Sequence, residues 1–142
     1  MIDIFNFPKE ILKDKSKFKK NLNKVLKKHF DAENISIIFL DKQKIQDLNL
    51  KYREVNEPTD VLSFNYNTVG ILGEVYVCTD YIKEKRPELD LIEEIYRITI
   101  HGILHLYGYD HKSEFIDINQ PNLETMFEIQ ESMLNELLKN IK

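Results

Sequence analysis

Three of the four histidines in this 142-residue chain fall within eleven residues, His101-Gly-Ile-Leu-His105-Leu-Tyr-Gly108-Tyr-Asp-His111. On a helix, side chains four apart share one face, with Cβ atoms about 5–6 Å apart. Two imidazoles so placed can reach one ion at about 2.0–2.1 Å each. Gly108 can take the left-handed conformation that ends a helix, and the returning chain can then present His111 to the same ion. Three neutral imidazoles with an open fourth position describe a catalytic zinc site, because a structural site closes with a fourth protein ligand. The plainer reading makes each ring a core residue with one hydrogen bond. That suits a lone histidine better than three at ligand spacing around a glycine.

The spacing matches the zinc-protease pattern H-E-x-x-H-x-x-G-x-x-H at every ligand and at the glycine. The second residue of that pattern is the glutamate that acts as general base in peptide hydrolysis. Here it is Gly102, which has no side chain to move a proton. The ligand set is kept and the peptidase base is missing, so the motif indicates a metal-dependent hydrolase other than a peptidase, with one zinc ion per chain. His29 stands outside the motif. It ends a lysine-rich helix, where a solvated cation complements the helix dipole.

A chain of this length is most simply one domain, here a metal-dependent hydrolase domain over residues 1–142 with a respectable core. Hydrophobic residues at 42% and charged residues at 31% are those of an ordinary globular protein. A single cysteine excludes an internal disulfide framework and fits a reducing compartment. No apolar run approaches the roughly 20 residues that cross a bilayer, and MIDIFNFPKE is too short and too acidic for a secretory signal. A cytoplasmic location is therefore expected. Cys78 reads as a small buried strand residue.

Net charge is −4, which taken alone argues against nucleic acid. Its distribution argues otherwise. Residues 1–30 hold nine lysines against Asp3, Glu10 and Asp14, a net +6, while the remainder holds 11 basic and 21 acidic side chains, a net −10. Such a split predicts a basic face and an acidic face.

The elements that must position the histidines follow from patterning. Ile2–Phe7 alternates as a first strand closed by Pro8. Asp14–Phe30 is a helix with Phe18, Leu22, Val25, Leu26 and Phe30 on one apolar stripe. Asn34–Leu40 is a strand, and Asp41 caps a second helix running to Tyr52, with Ile45, Leu48 and Tyr52 inward. Glu57-Pro58 turns into a short buried strand, Asp60–Phe64. Gly70 and Gly73 flank a turn before the strand Glu74–Cys78. A third helix from near Leu89 to Gly108 is apolar on most sides and should be the central buried helix. Pro121 opens a last helix with Leu123, Met126, Ile129, Met133, Leu137 and Ile141 as its stripe. This order predicts an α+β domain: a mixed sheet of about four strands covered by about four to five helices. The central buried helix lies across the sheet and carries the three-histidine site at a cleft.

Taken together, His101-Gly-x-Leu-His105-Leu-x-Gly108-Tyr-Asp-His111 resembles the signature of the YbeY family, bacterial zinc-dependent endoribonucleases and ribosomal RNA maturation factors. A second block is similar to that family's pattern in order and spacing: Tyr52-Arg53, Pro58-Thr-Asp-Val-Leu-Ser-Phe64 and Gly73-Glu74-Val75. The resemblance covers roughly residues 40–112 at motif level. The family usually has glycine after the arginine and proline after the phenylalanine, where this chain has Glu54 and Asn65.

The resemblance implies that Arg53 faces the zinc cleft as a catalytic residue. Physical chemistry agrees with that role, since a guanidinium grips two phosphoryl oxygens at once and stays protonated. Asp60 and Ser63 either line the cleft or order the strand end. Asp110 either orients a ligand imidazole or caps the turn. The implied activity is metal-dependent cleavage of single-stranded RNA in ribosomal RNA maturation, including the 3′ end of the small-subunit RNA, and in ribosome quality control. The implied partners are ribosomal RNA and the small ribosomal subunit; neither DNA nor membrane is expected. The basic N-terminal helix is a candidate track for the RNA backbone. Two alternatives stand beside this: a protease-like zinc hydrolase with a base outside the motif, such as Glu74, and a non-enzymatic ribosome assembly factor whose metal only holds the fold.

Overall fold

The structure is a computed structural model that describes residues 2–30, 34–68, 70–108 and 123–139. Among the described residues four strands form one mixed sheet, as the patterning predicts, and their order is β1-β2-β4-β3. β1 (Ile2–Phe5) and β4 (Ile71–Val77) both pair parallel to β2 (Asn34–Phe39), and β3 (Val61–Thr68) closes the edge antiparallel to β4. Five α-helices are described: α1 (Lys15–His29), α2 (Lys42–Arg53), α3 (Thr79–Lys85), α4 (Leu91–Leu106) and α5 (Leu123–Lys139), with a 3₁₀ segment at Lys9–Asp14. The expected start of the last helix at Pro121 and its Ile141 lie outside the described residues.

α4 is the central element. Asp90 caps it, its carboxylate accepting from the Ile92 N–H at 3.0 Å. Ten of its sixteen residues are buried, which follows from an apolar sequence on most faces. Phe18 of α1 stacks on Tyr96 of α4 at 4.7 Å, and Phe30 at the end of α1 stacks on Tyr107 at 4.1 Å. α1 therefore runs alongside α4. The stripe Phe18, Leu22, Val25 and Leu26 is buried.

Strand alternation sorts β3 and β4 between the two faces of the sheet. Val61, Ser63 and Val75 face α4, while Leu62 joins Ile45 and Cys78 in a second core cluster, with Phe64, Tyr76 and Leu48 packed on it. Gly102 is the contact point on the α4 side. A Cβ there would stand 2.6 Å from Val75 Cγ1 and 2.9 Å from Val61 Cγ2, so the helix presses its backbone onto the sheet. The residue that replaces the protease glutamate is thus a packing requirement: a glutamate would have nowhere to go.

Several expectations need correction. β3 runs to Thr68 and β4 begins at Ile71, so the turn is at Gly70 (φ +84°) and Gly73 lies inside β4. Gly73 is required by close approach, since a Cβ would come within 2.1 Å of the Phe64 carbonyl oxygen. β3 is an edge strand, and of Val61–Tyr66 only Leu62 is fully buried, so it is not a wholly buried strand. Tyr52 does not point inward. Its ring touches Phe64 edge-on at 5.1 Å yet stays 56% exposed, because the last turn of α2 overhangs the sheet edge. Cys78 is buried as expected, but it precedes α3 and lies just past the strand.

Candidate active site

A cleft of about 830 Å³ opens between the end of α2, β3, the end of α3, α4 and α5. Arg53, the last residue of α2, lines it, and so do Asp60, Ser63, Arg86, Glu94, Arg97, His101, His105 and Gln130. Two of the three motif histidines are therefore in the cleft together with Arg53. His111 and Asp110 lie outside the described residues, and among the described residues no group of three or more His, Cys, Asp and Glu is placed to hold a metal.

The two histidines converge. His101 Nε2 and His105 Nε2 are 3.1 Å apart, with ring planes at 82°. Two nitrogens bound to one ion at tetrahedral angles and about 2.0–2.1 Å stand roughly 3.3 Å apart. The pair would need only a small adjustment to hold such an ion. One turn later Gly108 takes φ +95°, so the helix ends where the motif requires the chain to turn back.

Gln130 orients the pair, and sequence reasoning missed it. It is buried, and its Oε1 lies 2.7 Å from His101 Nδ1. Its Nε2 donates to Glu131 Oε2 at 3.2 Å. That second bond fixes the amide orientation, so Oε1 accepts from an Nδ1–H, and in the neutral ring Nε2 then carries the lone pair. The only signal in the sequence was a polar residue at the buried edge of the α5 stripe, four after Met126.

A line of charge supports the cleft wall. Glu94 is 2% exposed on α4. Arg97 Nη1 contacts its Oε1 directly, and Arg86 Nε approaches its Oε2 at 3.7 Å. Arg86 also meets Asp60 at 3.5 Å, and Arg97 meets Glu93 at 3.6 Å and Glu131 at 3.2 Å. Asp60 therefore both lines the cleft and holds Arg86. Ser63 also does both, its hydroxyl donating to the Gly102 carbonyl at 2.7 Å and so tying β3 to α4. Arg53 has no ion-pair partner among the described residues.

The loop departures have structural sense. Glu54 caps α2 with φ +59°, a left-handed position that glycine takes at lower cost, which fits the family's usual residue there. Asn65 donates from Nδ2 to the Leu106 carbonyl at 2.7 Å, a tie that proline could not make.

Glu74, the base the peptidase alternative invokes, is not part of the cleft. It follows strand alternation to the face away from α4 and accepts from the Tyr76 hydroxyl at 2.6 Å. Burial and that carboxylate push the Tyr76 phenol up to about 12. Burial also pushes the Cys78 thiol up, away from the reactive thiolate form. His29 sits at the end of α1, 2.9 Å from Glu136.

An α+β domain that sets a converged histidine pair and an arginine, unpaired among the described residues, in one cleft has the equipment of a phosphodiester hydrolase. Comparison with known proteins makes this particular. The family model described as "Endoribonuclease YbeY" matches residues 3–138. The Borreliella afzelii endoribonuclease YbeY is 41% identical over 114 residues, covering 72% of each chain. The Sulfurihydrogenibium relative of the same name is 35% identical over 140 residues, 92% of this chain and 87% of its own. A solution structure of a Thermotoga maritima protein superposes with a TM-score of 0.72 at 31% identity, covering 99% of this chain and 91% of that one. The chain belongs to the YbeY endoribonuclease family.

Proposed function

We propose that the chain is a single-strand-specific, metal-dependent endoribonuclease of ribosomal RNA maturation, including the 3′ end of the small-subunit RNA, and of ribosome quality control. It works in the cytoplasm with the small ribosomal subunit as its setting. Among the described residues no helix is long and apolar enough to cross a membrane. One zinc ion is held by His101, His105 and His111. The observation that carries this reading is the 3.1 Å convergence of two ring nitrogens in the cleft that Arg53 also lines.

When bound, zinc lowers the pKa of its water to about 7 and polarises a phosphoryl oxygen. The chain's own residues do the rest. His101 and His105 present Nε2 lone pairs, with Gln130 holding the His101 tautomer. Arg53 binds the non-bridging oxygens as their charge grows. Both carboxylates described in the cleft, Asp60 and Glu94, engage arginines, so neither is a spare general base. With neither carboxylate free, the RNA 2′-hydroxyl, or a water that the metal would acidify, would have to supply the proton transfer. The test is cleavage of a defined single-stranded RNA by the purified protein, with and without chelator. Loss on chelation and return with zinc are expected.

Gln130→Leu removes the acceptor for the His101 Nδ1–H. Losing such an outer hydrogen bond typically costs about 10–100-fold in metal affinity. Zinc competition against a chelating dye should show that loss, and Gln130→Glu, which keeps the acceptor, should largely retain affinity. Nitrogen-15 spectra of the metal-free protein should show His101 protonated at Nδ1 in the wild type and as a tautomer mixture in Gln130→Leu. An unchanged tautomer would remove Gln130 from this role.

A further inference from the structure

α1 carries seven lysines and no carboxylate over Lys15–His29. Lys17, Lys20, Lys24 and Lys27 follow a three-four-three spacing, so they form one ridge about 15 Å long at 1.5 Å rise per residue. All four are exposed on the side of α1 away from the buried stripe Phe18, Leu22, Val25 and Leu26. None has an ion-pair partner among the described residues, whereas Lys28 beside them is taken by Glu136.

The ridge is not part of the cleft. α1 packs on α4 through Tyr96 and Tyr107, and at 100° per residue His101 and His105 point from the other side of α4. Two helix diameters, about 20 Å, separate the ridge from the histidine pair. The basic helix that the sequence offers as a backbone track is thus a surface apart from the cleft.

We propose that Lys17, Lys20, Lys24 and Lys27 form a second RNA-docking site, which holds the phosphate backbone of the substrate outside the segment being cleaved. The inference rests on the reading of the cleft as an RNA-cleaving site. Charge complementarity argues for it: a concentrated cationic ridge on a chain whose remaining residues are net acidic selects a polyanion. A regular spacing of ammonium groups without base-reading side chains suits a backbone, read without sequence preference.

The test compares the wild type with K17Q/K20Q/K24Q/K27Q, glutamine being a good helix former. Two RNAs are used: a single strand of about four nucleotides, too short to reach both surfaces, and a long RNA containing the same strand. Fluorescence anisotropy across a salt series reads binding, and gel analysis reads cleavage. The variant should bind the long RNA at least about tenfold more weakly at low salt. Its log–log salt slope should be shallower by about 3, four contacts at about 0.7–0.9 each. Cleavage of the short RNA should stay at the wild-type rate. Unchanged long-RNA affinity and slope would overturn the ridge while leaving the cleft reading intact. Equal slowing on the short RNA would overturn its separateness. So would retained RNA binding with lost affinity for an acidic peptide, since the ridge would then be a protein-docking surface. A wild type that cleaves neither RNA, with the binding loss still seen in the variant, would sink the cleft reading and leave the ridge standing.

Discussion

Arg53→Ala is expected to slow RNA cleavage by about 10²–10³-fold under single-turnover conditions, the usual cost of removing one preorganised donor from a developing anion. A metal ion concentrates its charge at one point, while the transition state spreads charge over several oxygens. A planar guanidinium with parallel N–H donors matches that spread. Arg53 suits the task because it is exposed at the last turn of α2, lines the cleft and has no carboxylate claiming it among the described residues. The same exposure means that its loss should change stability by less than about 0.5 kcal/mol. Metal content should not change. Arg53→Lys should recover little, since an ammonium offers a point charge in place of the fork. Wild-type cleavage by Arg53→Ala would move the role elsewhere, first to Arg86 and Arg97, which also line the cleft.

The second large effect is on stability. Glu94→Ala is expected to destabilise the fold by about 3 kcal/mol, toward the lower end of the 3–5 kcal/mol typical of breaking a buried ion pair. The lower end applies because neither arginine is stranded: Arg97 keeps Glu93 and Glu131, and Arg86 keeps Asp60. At this chain length the melting temperature should fall by roughly 10 °C. Thermal unfolding followed by circular dichroism reads this directly. Glu94→Leu combined with Arg97→Met should recover much of the loss, since well-packed apolar replacements of buried ion pairs are often neutral or better. A drop of under one degree in Glu94→Ala would show that the carboxylate does not hold the cleft wall together.

Long elements with strong periodicity were legible in the sequence. The stripes of α1 and α4, the cap Asp41 and the alternation in β2 carry their information locally, so element type followed from side-chain spacing. What was missed depends on contacts between distant residues. The length of β3 comes from pairing with β4 as far as Thr68, which nothing within Asp60–Phe64 announces. α3 has seven residues and no side-chain cap at Cys78, too short for a period and without a start signal. Tyr52 continued the stripe of α2 in sequence, but the sheet beneath it ends.

The site divides in the same way. His101 and His105 were legible because a shared helix face is set by a spacing of four. Gln130 was not, because it reaches His101 across 29 residues of chain. The Asp60–Arg86–Glu94–Arg97 line is likewise made by tertiary packing, although a glutamate between apolar helix positions, followed three residues later by arginine, was a signal that could have been read.

The proposed function requires a metal, held by the motif histidines, that drives RNA cleavage in this cleft. It is tested most directly by measuring zinc content and single-stranded RNA cleavage together, in the wild type and in His105→Ala. The expected result is about one zinc per wild-type chain, cleavage abolished by chelator and restored by zinc, and a folded His105→Ala protein that has lost metal and cleavage together. A metal-free wild type that cleaves RNA at full rate in chelator, or a His105→Ala protein that cleaves as the wild type does, would contradict it.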